Sequence, residues 1–172
     1  MNADIRYSRQ ISLPSIGVSG QAKLRDASVL IIGAGGLGTA ASTYLASSGV
    51  GQLLINDFDR VDASNLPRQL LFRAADSGAF KTDATAERLR EANPAVQVST
   101  LNGQLDVNAL KAAAQDCELV LDCTDNFRTR QPDSVYFGDI PLTLPLGEIS
   151  LTALRITQTE ERAVGSLTPI EG

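Results

Sequence analysis

A short apolar run, Ser28-Val29-Leu30-Ile31-Ile32, passes without a break into Gly33-Ala34-Gly35-Gly36-Leu37-Gly38, and an alanine- and serine-rich segment, Thr39 to Ser48, follows. A run this apolar reads as a strand buried on both faces. The segment after the glycines reads as a helix closed by Gly49, and its small residues let it lie close against a sheet. The glycines have separable uses. Gly33 permits the tight turn, Gly35 lets backbone approach a phosphate, and Gly38 lets helix and strand pack closely. The first amides of such a helix and its dipole then face an anion. A glycine-rich packing turn with no ligand is the bland alternative; the strand before and the helix after favour the phosphate cradle.

The rest of the chain repeats the same alternation. Gly20 to Ala27 predicts a short helix, Gln52 to Asn56 a second strand ending at Asp57-Phe58-Asp59, and Lys81 to Ala92 an amphipathic helix stopped by Asn93-Pro94. Val96 to Leu101 reads as a third strand. Asp106 can cap a helix ending near Ala114. Glu118 to Asp122 reads as a fourth strand, delivering Cys123-Thr124-Asp125-Asn126 at its carboxyl end. Strands and helices in this order mean an α/β fold: a Rossmann-like parallel sheet with right-handed crossovers and helices on both faces. Ile140 to Leu146 and Ser150 to Ile156 read as strands that a turn at Gly147 can join antiparallel at the C-terminal end. The expected organisation is a single domain over residues 1–172, with an N-terminal arm and helix at 1–27, a nucleotide-binding core at 28–130 and a divergent tail at 131–172.

Composition removes whole classes of chemistry. The chain has no histidine, so Ser-His-Asp and Cys-His catalysis, histidine-liganded zinc and imidazole acid–base steps are excluded. Two cysteines, Cys117 and Cys123, give too few ligands for a structural zinc site, and none is expected. Six positions apart along one strand, they stand roughly 20 Å from each other and cannot bridge. Free thiols without a signal peptide point to the cytoplasm. A net charge of −5 argues against a nucleic-acid or anionic-membrane surface, and no apolar run approaches membrane-spanning length.

What remains is carboxylates, Lys, Arg and backbone amides. Asp57 ends the second strand, where an acidic side chain can accept both hydroxyls of a ribose. Arg68 and Lys81 follow it, two cations on one nucleotide-side segment. The loop amides already handle a pyrophosphate, so these added cations suit a triphosphate. Asp122 and Asp125 flank Cys123-Thr124 at the end of the fourth strand, a place to hold magnesium beside such phosphates. Arg9 sits in a basic arm, Arg6-Tyr7-Ser8-Arg9-Gln10-Ile11, ahead of any obvious core element. Solvated surface charge and a simple Asx turn at Asp125-Asn126 are the plain alternatives.

Taken in order, Arg6-Tyr7-Ser8-Arg9-Gln10, Gly33 to Gly38, Asp57-Phe58-Asp59, Ser64-Asn65-Leu66-Pro67-Arg68-Gln69, Lys81 and Asp122-Cys123-Thr124-Asp125-Asn126 resemble the successive motifs of the ThiF/MoeB/HesA family. These are bacterial relatives of ubiquitin-activating enzymes. The resemblance covers about residues 6–130 and implies an ATP-dependent adenylyltransferase. Gly33, Gly35, Gly36 and Gly38 would cradle ATP, Asp57 would bind its ribose with Asp59 beside it, and Asn65, Arg68 and Lys81 would hold the phosphates. Asp125 would coordinate Mg2+. Arg9 would reach into the partner subunit's site across a homodimer. The partner substrate would be a ubiquitin-like sulfur-carrier protein ending in Gly-Gly, whose carboxylate attacks the α-phosphorus to give an acyl-adenylate and pyrophosphate. After about residue 131 the chain departs from the family pattern, and no cysteine follows Cys123.

Two other readings stay open. One is a relative that binds nucleotide or partner without turnover. The other is an NAD-dependent oxidoreductase, which the glycine loop and Asp57 alone would serve; it lacks a histidine or a Tyr-x-x-x-Lys pair as proton donor. Tyr44 reads as a core residue of its helix.

Overall fold

The computed structural model describes residues 3–124. In chain order it contains α1 (Ala3–Arg6), α2 (Ser8–Ile11), α3 (Gly17–Asp26), β1 (Ser28–Ile32), α4 (Gly36–Ser48), β2 (Gln52–Asp57), α5 (Lys81–Ala92), β3 (Gln97–Asn102), α6 (Val107–Gln115) and β4 (Leu119–Asp122). Single 3-10 turns lie at Ala63–Asn65 and Ala74–Asp76 within the long β2–α5 connection. The four strands form one parallel sheet in the order β3-β2-β1-β4. The expected α/β fold with helices on both faces is what the chain forms. The strands foreseen at Ile140–Leu146 and Ser150–Ile156 lie outside the described residues.

Side-chain alternation decides which face each helix covers. Val29 and Ile31 of β1, Leu53 and Ile55 of β2, Val98 of β3 and Leu119 of β4 project to one face, where they pack with Ala46 of α4 and Ala86 and Leu89 of α5. Leu30, Ile32 and Val120 project to the other, against Ala114, with half-buried Leu110 and Ala113 of α6 beside them. β1 is the central strand, and Val29 to Ile32 are all buried, as a strand covered on both faces requires. The helix stops follow from local chemistry. Asn93 ends α5 in an extended conformation because Pro94 disfavours the helical one. Asp106 Oδ1 accepts the Ala109 amide at 2.8 Å and so caps α6.

Three sequence expectations need correction. The helix expected from Thr39 begins at Gly36, and the one expected from Gly20 begins at Gly17, since glycine's poor intrinsic propensity masked first turns that packing stabilises. Tyr44, expected in the core, is 78% exposed on the outer face of α4. In addition, the N-terminal arm docks on the core. Asn93, almost fully buried, donates from Nδ2 to the Tyr7 hydroxyl and to the Ala46 carbonyl, both at 2.7 Å. Gln10 Nε2 donates to the Ser48 carbonyl at 2.6 Å and to Gln21 Oε1. The arm therefore caps the carboxyl end of α4, the end away from the glycine loop.

Replacing Asn93 with Ala would leave the Ala46 carbonyl and the Tyr7 hydroxyl without this donor. We expect a loss of about 1–3 kcal/mol, read from urea unfolding, together with faster proteolysis of the first dozen residues. Unchanged stability would show that the arm's docking is incidental.

Candidate functional site

The carboxyl ends of β1, β2 and β4 converge at the glycine loop, the position where open parallel sheets bind ligands. Two of the glycines are demanded by the chain's own geometry. Gly33 has φ 92°, and a side chain there would press on the backbone of Cys123 and Thr124 at 3.0–3.1 Å. At Gly38 a Cβ would lie 1.7 Å from the Gly33 carbonyl oxygen, so β1 and α4 come this close only with glycine. Gly35 is different. Its φ is −83° and a Cβ there would meet only Gln69 Nε2, at 3.9 Å. Among the described residues nothing asks for glycine at 35. Space left open at the amino end of α4, where no side chain caps the first-turn amides and no acidic residue stands in the first turn, is what a bound phosphate uses.

Around this cradle the charged groups are connected by direct contacts. Asp57, buried at the end of β2, accepts the Ala34 amide on Oδ2 at 2.6 Å and the Asp59 amide on Oδ1 at 2.8 Å. The residue expected to face a ribose therefore also fixes the shape of the loop, a role that its position in the sequence did not reveal. Asp59 in turn accepts Lys81 Nζ on Oδ2 at 2.7 Å, and its carbonyl accepts the Lys81 amide at 3.0 Å. The Lys81 side chain is only 6% exposed, so its ammonium depends on this half-exposed counter-ion. Asp59, expected simply among the cofactor-binding residues, thus serves as the resting partner of Lys81.

Asn65 and Arg68 arrive from the 3-10 turn at Ala63–Asn65, whose entry Asp62 caps by accepting the Ser64 amide and hydroxyl at 2.8 and 2.5 Å. These bonds hold the Asp62 carboxyl below its ordinary pKa. Arg68 Nη2 donates to Asn65 Oδ1 at 2.6 Å, and the Arg68 carbonyl lies 3.3 Å from where a Cβ on Gly36 would stand. The Arg68 backbone therefore lies against the glycine loop, while its exposed side chain is held to Asn65.

At the end of β4, Asp122 Oδ1 accepts the Thr124 amide at 3.0 Å and hydroxyl at 2.7 Å. Asp125 lies outside the described residues, and among those described no cluster of three acidic or cysteine side chains could hold a metal. Arg9 is exposed on α2. Its neighbour Gln10 is bonded at the far end of the 13-residue α4, about 20 Å of helix from the glycine loop. Arg9 cannot complete the site of its own chain. Neither thiol is poised for chemistry. Burial, helped by Asp122, pushes Cys123 up to about 11, and burial with Asp116 raises Cys117.

This combination of loop, carboxylates and cations has relatives. The ThiF family model matches residues 7–132. The chain belongs to the ThiF family. It is 50% identical over 127 residues to the sulfur carrier protein ThiS adenylyltransferase of Escherichia coli K12, a match covering 74% of this chain and 51% of that one. It is 43% identical over 140 residues to the molybdopterin-synthase adenylyltransferase of Salmonella typhimurium, covering 80% of this chain and 56% of the relative. The chain thus spans about half the length of these curated relatives. Among solved structures, the E. coli tRNA N6-threonylcarbamoyladenosine dehydratase TcdA in complex with ATP superimposes with a TM-score of 0.65 at 26% identity, covering 72% of this chain and 50% of that one. The E. coli MccB structure with ATP gives 0.63 at 31% identity, over 72% of this chain and 38% of MccB. The two curated relatives are named as adenylyltransferases, and the two solved structures contain ATP.

The contrast between two glycines tests the cradle. Gly38→Ala should cost more than about 4 kcal/mol or prevent folding, because a backbone carbonyl occupies the space. Gly35→Ala should change stability by less than about 1 kcal/mol while removing most nucleotide affinity. Thermal melts with isothermal titration of Mg-ATP read both. Undiminished ATP binding by Gly35→Ala would show that no phosphate sits there.

Proposed function

We propose that this chain forms a single adenylation domain and acts as an ATP-dependent adenylyltransferase that activates the C-terminal glycine carboxylate of a ubiquitin-like sulfur-carrier protein, of the kind used in thiamine or molybdopterin sulfur transfer. The observation that carries this reading is the contact series from the loop amide of Ala34 through Asp57 and Asp59 to Lys81, with Arg68 against the same loop. A ribose acceptor, an amide cradle and two cations in that order match a nucleoside triphosphate better than a dinucleotide.

In the proposed reaction Gly33, Gly35, Gly36 and Gly38 shape the phosphate seat, Asp57 accepts ribose hydroxyls, and Asn65, Arg68 and Lys81 hold the phosphate chain. Lys81 exchanges Asp59 for phosphate oxygens, or shares its donors between them. Mg2+ would be held by Asp125 and would neutralise phosphate charge when bound. A carboxylate oxygen of the carrier attacks the α-phosphorus, the bond from that phosphorus to the bridging oxygen breaks, and pyrophosphate leaves. The nucleophile is already ionised at neutral pH, so no proton has to be removed and no histidine is missed. Positioning and charge neutralisation supply the catalysis. Arg9, remote from its own loop, would act in the partner subunit of a homodimer. The free thiols fit a cytoplasmic setting, and among the described residues no helix is long and apolar enough to cross a membrane.

ATP–pyrophosphate exchange with a panel of Gly-Gly-terminated carriers tests the reading. We expect exchange to survive replacement of Cys117 and Cys123 by Ser, since both thiols are held protonated, and to vanish in Asp125→Ala. Tight Mg-ATP binding with no exchange for any carrier would favour the non-catalytic relative. Preference for NAD over Mg-ATP in a thermal-shift assay would reject the adenylation reading altogether.

A second experiment addresses the shared site. Arg9→Ala and Lys81→Ala proteins should each be inactive, yet mixing them should restore up to about a quarter of wild-type exchange, because about half the dimers are mixed and each mixed dimer carries one site free of both lesions. A sedimentation pattern showing monomer alone, or no recovery when subunits exchange, would defeat the trans role of Arg9.

A further inference from the structure

Gln69 belongs to the turn that carries Asn65 and Arg68, but neither its chemistry nor its position is accounted for by packing. Its amide donates to the Asn65 carbonyl at 3.0 Å and its carbonyl accepts the Phe72 amide at 3.1 Å, so the backbone is fixed. The side chain is polar yet the residue is 3% exposed. Oε1 is fully buried with no donor, and Nε2 makes no hydrogen bond among the described residues. Buried side-chain polar atoms are nearly always paired, so a side chain with its oxygen buried and unpaired is held in place for some reason other than its own hydrogen bonding.

Direction supplies that reason. Nε2 stands 3.9 Å from the point where a Cβ on Gly35 would be, and no other heavy atom beyond Gly35's chain neighbours comes within 4 Å of that point among the described residues. The donor end of the amide therefore borders the space that Gly35 leaves open beneath the first turn of α4. That space is already lined by backbone N–H donors. A further N–H donor on its wall is complementary to an anion and to nothing apolar.

We propose that Gln69 is an additional nucleotide-contacting residue, its side-chain amide donating to a phosphate oxygen seated on the glycine loop. This rests on the nucleotide reading above and adds to it a neutral donor that distinguishes phosphate-bearing ligands from the bare nucleoside. Arg68 and Lys81 reach the phosphates as charges that already have partners, Asn65 and Asp59. Gln69 has no such partner among the described residues, so its contact forms without breaking another there.

The test compares Gln69→Leu, close in volume and without polar atoms, with Gln69→Glu and wild type, by equilibrium dialysis against Mg-ATP, inorganic pyrophosphate and adenosine, with thermal melts alongside. Gln69→Leu should melt at or above the wild-type temperature, since it removes an unpaired buried amide, and should bind Mg-ATP and pyrophosphate about three- to tenfold more weakly with adenosine unchanged. Gln69→Glu should lose more than about tenfold, because a carboxylate would face the phosphate. Gln69→Met serves if the Leu variant does not fold. Unchanged Mg-ATP affinity in Gln69→Leu, or an equal loss for ATP and adenosine, would overturn the proposal and leave Gln69 a packing residue. Wild-type protein that binds neither ATP nor pyrophosphate would instead overturn the nucleotide reading on which it rests.

Discussion

Asp57 stands where three parts of the protein meet, and each depends on its carboxylate. One oxygen accepts the Ala34 amide and so sets the path of the glycine loop; the other accepts the Asp59 amide and turns the chain out of β2. That turn places the Asp59 carboxylate against Lys81 at the start of α5. Hydrogen bonds from amides to an ionised carboxylate are among the stronger ones available, and burial strengthens them further. Loop, strand end and helix start are thereby fixed relative to one another by one side chain that keeps lone pairs for further donors. Loss of Asp57 would disturb the cradle as well as any ribose contact, so Asp57→Asn, which keeps one good acceptor, separates the two roles better than truncation to Ala.

The close contacts of small residues follow from the same need to bring amides within reach of an anion. β1 meets α4 through Gly33 and Gly38, and Ser42 and Ala46 continue the buried stripe along the helix. A helix of small residues can lie this near a sheet, but it buries little apolar area per residue. The apolar contribution comes from elsewhere, from β1 and β2 on the sheet and from Leu89 of α5. The Tyr7–Asn93–Ala46 hydrogen bonds then hold the far end of α4 against α5 and the arm. The helix that points its amino end at the cradle is fixed at both ends, which is what preorganised donors require.

Much of this was legible in the chain, for reasons that can be named. The apolar run of β1 and the Asn-Pro stop of α5 each impose one local answer, and the strand at 28–32 and the helix at 81–92 are found where they were expected. The glycine loop could be read because its neighbours on both sides were regular. What could not be read depends on contacts between residues remote in sequence. Tyr7 and Asn93 are separated by 86 positions, and the Ala34–Asp57 bond requires the β1–β2 register. Tyr44 was misplaced because an alanine-rich helix has small residues all round and no clear apolar stripe to orient it. Gln69 closes a motif visible in the sequence, but its own role could not be read until its buried, unpaired Oε1 and the approach of Nε2 to Gly35 were seen together.

Charge balance bears on the proposal of a shared site. Around the loop the described Arg68 and Lys81 are balanced by the carboxylates Asp57 and Asp59, so these four residues together bring no net positive charge to a polyanionic ligand. ATP keeps net negative charge even with a magnesium ion bound, and negative charge moves toward the pyrophosphate as it leaves. Fixed dipoles at the α4 amino end offset part of this, since a helix amino terminus carries about half a positive charge. On the proposed reading a further cation comes from a second copy of the chain. Arg9 is placed a full helix length from its own loop, on a docked arm whose neighbours Tyr7 and Gln10 are both bonded to that core. A cation held rigidly at the wrong end for its own site is in a position to serve another copy, and on the proposed reading that copy would lack the charge to stabilise the departing pyrophosphate without it.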